Sequence, residues 1–495
     1  MPTLGGLVLQ NGRRVPEREA LVDGEDRWTW ARLALDAGRV AAALRAAGVS
    51  RSDRVAIVAA NSSSYVIAEL GALLAGAIVV PVNARLAEPE VAHVLADSAP
   101  CVVASDAGSR AVVGRALAAL GDPAAHLDLV ELVAGAASLE PVVEDECAEQ
   151  DDAFITYTSG TTGRPKGVLI DHHRAIWAAL SQVVSLGMRD GERYLHLSPL
   201  YHSGGVVFLN AVTVVGGTSV LVPGFEPGPV LRTMARERVT AFLGVPTMYQ
   251  QLLRAPEIDE CDLSALRIAV FGAAAMPAGT IRALLDRFPG LVLNQLCGQT
   301  EAGPTGLFST VEQLRERPDS TGHQSQPFLE HRIVDASDEV VGAGEVGELN
   351  FRGEGVMKGY WNAPDPTAET LRDGWLRTGD LFRVDPDGAL VLVDRLKDLI
   401  ITGGQNVYSA EVEQAMLTHP DVVDCAVVGD PHEEYGETVV AVVSLVAGSG
   451  LDLDGLRAHC APLLAHYKLP RRLVVLADIP RNAGGKLQKH VLRGQ

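Results

Sequence analysis

The sequence predicts an α/β fold because strand-like and helix-like segments alternate along most of the chain. Short runs of β-branched residues, such as 54–58 and 77–82, alternate with segments of helical period rich in Ala and Leu, such as 30–47. This alternation is typical of βαβ units, which build parallel sheets. From about residue 345, short strands separated by glycine turns follow one another instead, and they predict a β-rich part.

The predicted domain organisation has two main parts. A length of 495 residues allows about three compact units, at roughly 150 residues per domain. We expect a large N-terminal domain at 1–396, with two βα-layered sheets of parallel type and a β-rich subdomain at about 330–396. At about Lys397 the pattern starts again with a helix, two strands and a further helix. Residues 397–495 are therefore predicted to form a small α+β domain.

The charge balance excludes nucleic acid as a partner. Lys and Arg total 42 against 62 Asp and Glu, so the formal net charge is -20 and the overall field repels nucleic-acid phosphates. An anionic substrate therefore needs a locally built site.

The cysteines and the N-terminus predict a cytoplasmic protein. The six cysteines lie far apart without a C-x-x-C pair, which argues against a disulfide framework or a structural zinc. The first positive charges follow a short apolar run, the reverse of a signal peptide. The most apolar stretch, 67–82, contains Glu69 and Pro81, so it is too short and too interrupted to span a bilayer. No integral membrane segment is expected.

One segment has the composition of a phosphate-binding loop: Tyr157-Thr-Ser-Gly-Thr-Thr-Gly-Arg-Pro-Lys-Gly. We call residues 157–167 the phosphate loop. Its glycines let backbone N–H groups turn toward an anion, four hydroxyls can donate to phosphate oxygens, and Lys166 adds a point charge. It is not a Walker A loop, because Pro165 and Gly167 stand where Gly and Ser or Thr are required. An ordinary surface turn is the alternative, but the length of the pattern disfavours it.

The phosphate loop resembles the signature of the acyl-adenylate-forming superfamily of acyl-CoA synthetases, peptide-synthetase adenylation domains and luciferases. Further segments follow in the superfamily's order over nearly the whole chain. The resemblance implies an enzyme that uses ATP and Mg²⁺ to activate a carboxylic acid as its acyl-AMP and then transfers the acyl group to coenzyme A. It also implies that the C-terminal domain is mobile, with its hinge at Lys397.

Two segments resemble the superfamily's metal and ribose sites. In Gly298-Gln-Thr-Glu, the resemblance implies that Glu301 holds magnesium and that Thr300 reaches the α-phosphate. A hard cation that bridges phosphates prefers such oxygen ligands. Asp380 would accept the ribose hydroxyls, and Arg395 would make a second ribose contact. As isolated residues, these last two would be surface ion-pair partners.

Two other segments resemble the walls around adenine and the acyl group. The small residues of Gly272-Ala-Ala-Ala-Met-Pro would let a ligand approach the backbone, or would serve close packing of a helix on a strand. Pro199-Leu-Tyr-His-Ser-Gly-Gly would bring His202 to the entrance for the acid and the thiol. A lone histidine is more often structural.

The last hundred residues contain two further matches. Residues 400–408 resemble the glycine loop that lines the pantetheine channel, and Lys486 would bridge the carboxylate and the α-phosphate during adenylation. Loss of one such preorganised contact costs roughly 10²–10³ in rate. Because Lys486 serves the first step and the glycines at 403 and 404 serve the second, the small domain must present two faces in turn, which requires a hinge.

The candidate residues form four groups. The catalytic residues are Lys486, Glu301, Lys166 and Thr158, and Glu301 is also the metal ligand. The cofactor-binding residues are Ser159, Gly160, Thr161, Thr162, Gly163, Ala274, Ala275, Cys297, Gly298, Gln299, Thr300, Asp380, Arg395 and Asn406. The residues of the substrate and coenzyme A channel are His202, Ser203, Val207, Ala273, Ala302, Gly303, Gly403 and Gly404. The hinge is Lys397.

Two positions depart from the superfamily pattern. Cys297 replaces an aromatic residue that would stack on adenine, so weaker ATP binding is expected. Ser409 replaces a common proline after Tyr408, which would loosen the loop slightly. The first departure leaves open that the protein adenylates poorly and mainly carries out the thiol transfer.

The substrate is predicted only by class. The candidate pocket wall is small and apolar, which leaves room for a bulky hydrophobic acid such as a medium-chain, aromatic or polycyclic acid. Phe208 and Leu209 stand where amino-acid-activating relatives carry Asp, so an amino acid is less favoured. A homodimer is possible.

Two further functions remain open. An acyl-AMP ligase that loads a carrier protein would share the same first step. A catalytically idle acyl-nucleotide binding protein would keep the fold, but the retention of the candidate lysines, Glu301 and Asp380 argues against it.

Overall fold

The computed structural model describes residues 3–158, 165–272, 274–481 and 487–493. The described chain divides into two compact units. The larger unit contains the described residues of 3–331 and 351–377, and the smaller unit contains those of 332–350 and 378–493. The predicted α/β class is confirmed, with mixed sheets of mainly parallel strands in the first unit. The domain boundary and the hinge at Lys397 stay predictions.

The first sheet lies in the larger unit. Its central strands are parallel, and antiparallel strands close both edges. In spatial order the strands are Gln324–Ser325, Gly306–Ser309, Val292–Gly298, Ile268–Gly272, Ala241–Gly244, Arg193–His196, Thr218–Leu221, Glu19–Asp23 and Asp26–Thr29.

The second sheet also lies in the larger unit and has the same mixed character. Its parallel strands are followed at one edge by two antiparallel strands. In spatial order they are Gly359–Tyr360, Lys166–Asp171, Asp152–Thr158, Ile78–Val82, Arg54–Val58, Val102–Ser105 and Ala125–Asp128.

Helices connect these strands, as the alternating pattern predicts. Many begin at a side-chain cap, such as Ser62, and end at a left-handed glycine, such as Gly76 at φ 84°. The α-helices of the larger unit are Leu4–Arg14, Trp30–Ala46, Ser63–Ala75, Glu88–Ser98, Arg110–Ala119, Leu129–Gly135, His172–Leu186, Ser203–Val215, Pro227–Arg236, Pro246–Arg254, Glu257–Glu260, Ala278–Arg287, Val311–Glu316 and Pro364–Thr370, and its 3₁₀ turns are Ala136–Ser138 and Thr300–Ala302.

The β-rich part forms a third sheet, made of Leu329–Val334, Val346–Gly353, Trp375–Val384, Leu371–Arg372 and Leu390–Arg395. A fourth sheet lies in the C-terminal part, made of Gln405–Val407, Ile400–Thr402, Gly436–Leu445, Val422–His432 and Arg472–Val475. The helices of the C-terminal part are Ser409–Leu417, Leu453–Cys460 and Lys489–Leu492, with 3₁₀ turns at Leu396–Asp398 and His466–Lys468. An apolar cluster that includes Val412, Val427 and Val443 forms its core.

One strand differs from the expected β-rich subdomain at about 330–396. Gly359–Tyr360 lies within that range but pairs with Lys166–Asp171 of the second sheet. The backbone N–H of Trp361 also donates to the Gly167 carbonyl at 2.7 Å. This long-range pairing, which local sequence patterns do not encode, brings Tyr360 beside the phosphate loop.

None of the helices in the described ranges combines the length and the apolarity that a membrane span requires.

The helix Ser63–Ala75 buries an acidic residue that has no partner in the described structure. The side chain of Glu69 is fully buried, and neither carboxylate oxygen has a hydrogen-bond partner among the described residues. Burial raises the pKa of this carboxyl from its ordinary value of 4.5 to about 8. The native protein therefore retains a proton here that the unfolded chain releases.

Glu69→Gln is expected to make stability less dependent on pH. Between the unfolded pKa of 4.5 and the folded pKa of about 8, the native state binds more protons at this site, so its stability falls as pH rises. The slope is roughly 1.4 kcal/mol per pH unit for one group. Thermal unfolding is measured at pH 5.5 and 8.5. The unfolding temperature of the variant, relative to that of the wild type, should be higher at pH 8.5 than at pH 5.5. Glu25→Gln, which changes an exposed residue in a turn, is the control. If Glu69→Gln and the wild type differed in stability by the same amount at both pH values, the expectation would be wrong.

Candidate active site

Part of the predicted site lies outside the described residues. These positions are Ser159, Gly160, Thr161, Thr162, Gly163, Ala273 and Lys486. The remaining candidates fall on elements of both units.

The two ends of the phosphate loop lie side by side. The strands Asp152–Thr158 and Lys166–Asp171 are antiparallel, and Thr158 and Lys166 are cross-strand partners. The Lys166 ammonium lies 5.0 Å from the ring centre of Tyr360. A cation over an aromatic face is attracted by the ring quadrupole, so Tyr360 helps to hold the Lys166 charge.

Tyr360 also connects this lysine to the predicted metal ligand. Its hydroxyl donates to Glu301 Oε1 at 3.0 Å. Burial, and then the Glu301 charge, raise the pKa of Tyr360 well above its usual range. The phenol therefore remains a donor at neutral pH and orients the carboxylate. Tyr360, which lies in the segment Met357-Lys-Gly-Tyr-Trp-Asn, was not among the residues predicted from the sequence.

The surroundings of Glu301 fit a magnesium ion held together with nucleotide phosphates. No group of three or more His, Cys, Asp or Glu side chains within the described residues could hold a metal alone. Mg²⁺ commonly takes one or two carboxylates and completes its shell with phosphate oxygens and water. The backbone around Glu301 is fixed, since its carbonyl accepts from the Met357 N–H at 2.9 Å.

The Thr300 hydroxyl forms a hydrogen bond with Ser203, the residue that follows His202. Ser203 Oγ and Thr300 Oγ1 are 2.8 Å apart. His202 precedes the helix Ser203–Val215 as its N-cap, in an extended conformation. Asn61, which the sequence analysis did not single out, holds the preceding segment, because its side-chain oxygen accepts from the Leu200 N–H at 2.8 Å. The structure therefore brings Ser203 and Thr300 together.

The candidate adenine segment contains a buried donor that suits a nucleotide. The amide nitrogen of Gln299 is buried and has no hydrogen-bond partner among the described residues. A buried unpaired donor is costly unless a ligand satisfies it. Gly298 leaves no room for a side chain, since an added Cβ would lie 2.2 Å from the Thr305 carbonyl oxygen. Ala274 and Ala275 are exposed and leave their backbone accessible.

The candidate pocket wall is apolar and tightly packed. Val207 lies in a buried cluster with Phe208 and Ala211. Ala302 is fully buried. Gly303 follows it with φ +70°, and an added Cβ would lie 2.2 Å from the Gly355 carbonyl oxygen. These residues stay candidates for the channel.

The predicted ribose residues pair with each other in the smaller unit. Asp380 and Arg395 are cross-strand partners, with Arg395 Nε 3.2 Å from Asp380 Oδ1. Gly379 turns the backbone before Asp380 at φ +71°, and its N–H donates to the Glu348 carboxylate at 3.0 Å. The pairing brings a carboxylate and a guanidinium to one place, and their contact with ribose stays a prediction.

The candidate glycine loop is the turn of a hairpin. Gly403 and Gly404 join the strands Ile400–Thr402 and Gln405–Val407 with φ of 57° and 76°. Positive φ at both positions is typical of a type I′ turn and favours glycine. An added Cβ at Gly404 would meet nothing within 4 Å among the described atoms. Asn406 lies on the second strand opposite Ile401.

Ser409, which replaces a proline of the superfamily pattern, is held by several polar contacts. Its backbone N–H and its hydroxyl both donate to the buried Asp394 carboxylate, the hydroxyl at 2.8 Å. Lys489 Nζ donates to the same hydroxyl at 2.6 Å and forms an ion pair with Glu413 at 2.7 Å. A proline has no N–H and could not make the first bond. These bonds anchor Ser409, and the loosening of the loop stays a prediction.

A cavity of about 860 Å³ lies away from all these candidates, at the amino ends of the strands around Arg193. Three of its arginines have structural partners: Arg193 and Arg236 pair with Glu237, and Arg267 pairs with Glu192. The cavity contains none of the predicted site residues.

Comparison with known proteins assigns the family. The model of the AMP-binding enzyme family matches residues 8–361, and that of the AMP-binding enzyme C-terminal domain matches residues 411–486. A feruloyl-CoA synthase from an Amycolatopsis species is 40% identical over 99% of this chain and 98% of its own. The long-chain-fatty-acid–CoA ligase FadD13 of Mycobacterium tuberculosis is 34% identical over 100% of this chain and 99% of its own.

A solved structure agrees with this assignment. The o-succinylbenzoate-CoA synthetase of Bacillus subtilis, in complex with its acyl-adenylate intermediate, has a TM-score of 0.89 at 30% identity, covering 99% of this chain and 98% of that one. The same enzyme is also known in complex with ATP and a magnesium ion. This chain belongs to the AMP-binding enzyme family. The predicted class of enzyme, an AMP-forming acid–thiol ligase, is confirmed.

Proposed function

We propose that the protein ligates a bulky hydrophobic carboxylic acid to coenzyme A through an acyl-adenylate. The observation that carries the proposal is the continuous contact from Lys166 through Tyr360 to Glu301, beside the ends of the phosphate loop. It combines a cation for phosphate oxygens with a carboxylate for Mg²⁺. The side-chain nitrogen of Gln299, which has no hydrogen-bond partner among the described residues, adds a donor for the nucleotide.

In the first half-reaction, a carboxylate oxygen of the acid attacks the α-phosphorus of ATP. A bond from that phosphorus to oxygen forms, the bond to the bridging oxygen of the β-phosphate breaks, and pyrophosphate leaves. Lys166 and the hydroxyls of the phosphate loop would stabilise the leaving charge, and Glu301 would hold the metal that neutralises the phosphates. Lys486 would bridge the attacking carboxylate and the α-phosphate.

In the second half-reaction, the thiol sulfur of coenzyme A attacks the acyl carbon of the mixed anhydride. The bond from that carbon to the phosphate oxygen breaks, the thiol proton is released, and AMP leaves. The turn at Gly403 and Gly404 would lie along the pantetheine arm, as the resemblance implies, and an added Cβ at Gly404 would meet none of the described atoms within 4 Å. Rotation of the C-terminal domain at Lys397 would withdraw Lys486 after the first step and bring Gly403 and Gly404 to the site for the second. It would also exclude water from the anhydride.

The acid is proposed to be aromatic, medium-chain or polycyclic. Small apolar candidates such as Val207 and Ala302 support an apolar acyl group. The relatives named as a feruloyl-CoA synthase and a long-chain-fatty-acid–CoA ligase support a hydrophobic acid, aromatic or aliphatic. A cytoplasmic location is also proposed, because none of the six cysteines, all of which lie within the described ranges, forms a disulfide. A homodimer stays a prediction.

One experiment tests the proposal and its alternatives. The protein is incubated with MgATP, coenzyme A and a panel of hydrophobic acids, and AMP and acyl thioester are followed by mass spectrometry. Equal amounts of AMP and acyl-CoA are expected for a preferred acid. Acylation of a carrier protein without acyl-CoA would support the carrier-loading alternative. No acid-dependent pyrophosphate release and no use of supplied acyl-adenylate would leave an idle binding protein.

Cys297→Tyr is expected to lower the KM for ATP. An aromatic ring at this position would stack on adenine, and stacking of a base on an aromatic side chain contributes roughly 1 kcal/mol or more. The KM should fall at least about fivefold. Initial rates against ATP concentration give the value, and Cys297→Ser, which adds no ring, is the control. An unchanged KM in the tyrosine variant would show that residue 297 does not face adenine.

A further inference from the structure

Two side chains of one helix form hydrogen bonds with the phosphate loop, and the sequence did not predict this contact. The helix Glu88–Ser98 carries His93 and Asp97 one turn apart, so both side chains lie on the same face. Each contacts a different end of the phosphate loop. The two contacts join residues 72 and 60 positions apart in the chain.

The contact at the end of the loop is made by His93. Its Nε2 lies 3.1 Å from the carbonyl oxygen of Pro165. A carbonyl only accepts, so the imidazole donates from this nitrogen. Pro165 directly precedes Lys166, whose ammonium lies over Tyr360. The histidine therefore fixes the backbone that presents this lysine.

The contact at the start of the loop is made by Asp97. Its carboxylate accepts from the Tyr157 hydroxyl at 2.5 Å. Its backbone carbonyl accepts from the indole N–H of Trp361 at 3.1 Å and from the side-chain amide of Asn362 at 3.2 Å. Carbonyls in the last turn of a helix lack intrahelical partners and are available for such bonds.

These contacts connect one helical turn with the described ends of the phosphate loop and with the strand beside Glu301. Trp361 follows Tyr360, which donates to Glu301. Tyr157 is the cross-strand partner of Gly167, where an added Cβ would lie 2.6 Å from Ile155 Cγ2 and 3.1 Å from the Tyr157 ring. Gly167 therefore packs closely against Ile155 and Tyr157 at the base of the loop. The helix thus holds both ends of the loop and the strand that orients the metal ligand.

We propose that His93 and Asp97 are positioning residues for the phosphate loop and set its affinity for the ATP triphosphate. The inference rests on the proposed function, because it assigns the loop to ATP. Neither side chain is required to touch the nucleotide. Their effect should be confined to adenylation, since thiol transfer from a preformed acyl-adenylate involves no pyrophosphate.

The test separates the two half-reactions in His93→Leu and His93→Gln. Leucine removes the donor to the Pro165 carbonyl, whereas a glutamine amide can still donate. We expect His93→Leu to raise the KM for ATP by about three- to tenfold, the effect of one lost hydrogen bond, and His93→Gln to restore most of it. The rate of thioester formation from supplied acyl-adenylate should stay within about twofold of the wild type.

A second pair of variants tests Asp97. Asp97→Ala and Tyr157→Phe each remove one side of the same hydrogen bond, so their effects on the KM for ATP should not add in the double variant. His126→Leu is the matched control for His93→Leu. His126 is also partly buried, and its Nε2 lies 2.8 Å from Ser105 Oγ. It lies on the edge strand of the second sheet, which also contains the two strands that flank the phosphate loop. The KM of this control variant for ATP should not change.

The outcomes distinguish this inference from the proposed function. If the wild type forms no acyl-adenylate with any acid, the proposed function fails first. If the wild type is active and His93→Leu keeps its KM for ATP, the positioning role is wrong. Equal loss of both half-reactions in His93→Leu, without recovery in His93→Gln, would also overturn it and indicate a general structural role.

Discussion

Glu301→Gln is expected to lower the rate of acyl-adenylate formation by at least about 10²-fold at low magnesium. Loss of a residue that only supports a metal ligand lowers metal affinity or activity roughly 10- to 100-fold, and loss of the ligand itself should lower it at least as much. The amide keeps the shape of the side chain but removes the negative charge that a hard cation prefers. The KM for magnesium should rise, and high magnesium should restore part of the rate. Acid-dependent pyrophosphate release, measured over a range of magnesium concentrations, gives both values.

Two variants show whether the effect belongs to the metal site. Tyr360→Phe removes only the donor that lies 3.0 Å from Glu301, so it should reduce the rate by about three- to tenfold. Glu354→Gln alters an exposed carboxylate that pairs with His173 at 2.8 Å, and it should leave the magnesium dependence unchanged. If Glu301→Gln kept the wild-type dependence on magnesium, another group would have to hold the ion.

Lys486→Met should abolish most adenylation but spare thiol transfer. A lysine that bridges the carboxylate and the α-phosphate stabilises charge that develops only in the first half-reaction, and losing such a contact costs roughly 10²–10³ in rate. The described residues on both sides of its segment are anchored: Arg481 and Leu487 form an antiparallel bridge, and Lys489 pairs with Glu413 at 2.7 Å. Pyrophosphate release and thioester formation from supplied acyl-adenylate are measured separately.

Lys468→Met is a suitable control for this variant. It removes another lysine of the same unit, which pairs with Glu411 at 2.6 Å, and should affect neither half-reaction by more than about twofold. Equal losses of adenylation and thiol transfer in Lys486→Met would contradict the assignment of this lysine to the first step alone.

The fold class could be predicted from the sequence because it depends on local periodicity. Runs such as Arg54–Val58 and Ile78–Val82 became parallel neighbours, as alternating strands and helices require. The strand Gly359–Tyr360 could not be placed in the same way. It has two residues, and its partner lies about 190 positions away, so its sheet is decided by tertiary packing rather than by a pattern.

The sequence by itself determined the residue types that can bind a phosphate and a metal, such as the hydroxyls and glycines of the phosphate loop, Lys166 and Glu301. These types are specified locally, because their chemistry and backbone freedom are properties of the residues themselves. Only the tertiary structure decided which groups orient them: Tyr360 on Lys166 and Glu301, and His93 and Asp97 on the ends of the loop. Such contacts arise where distant strands and helices pack together, and nothing in the spacing of a single segment specifies them.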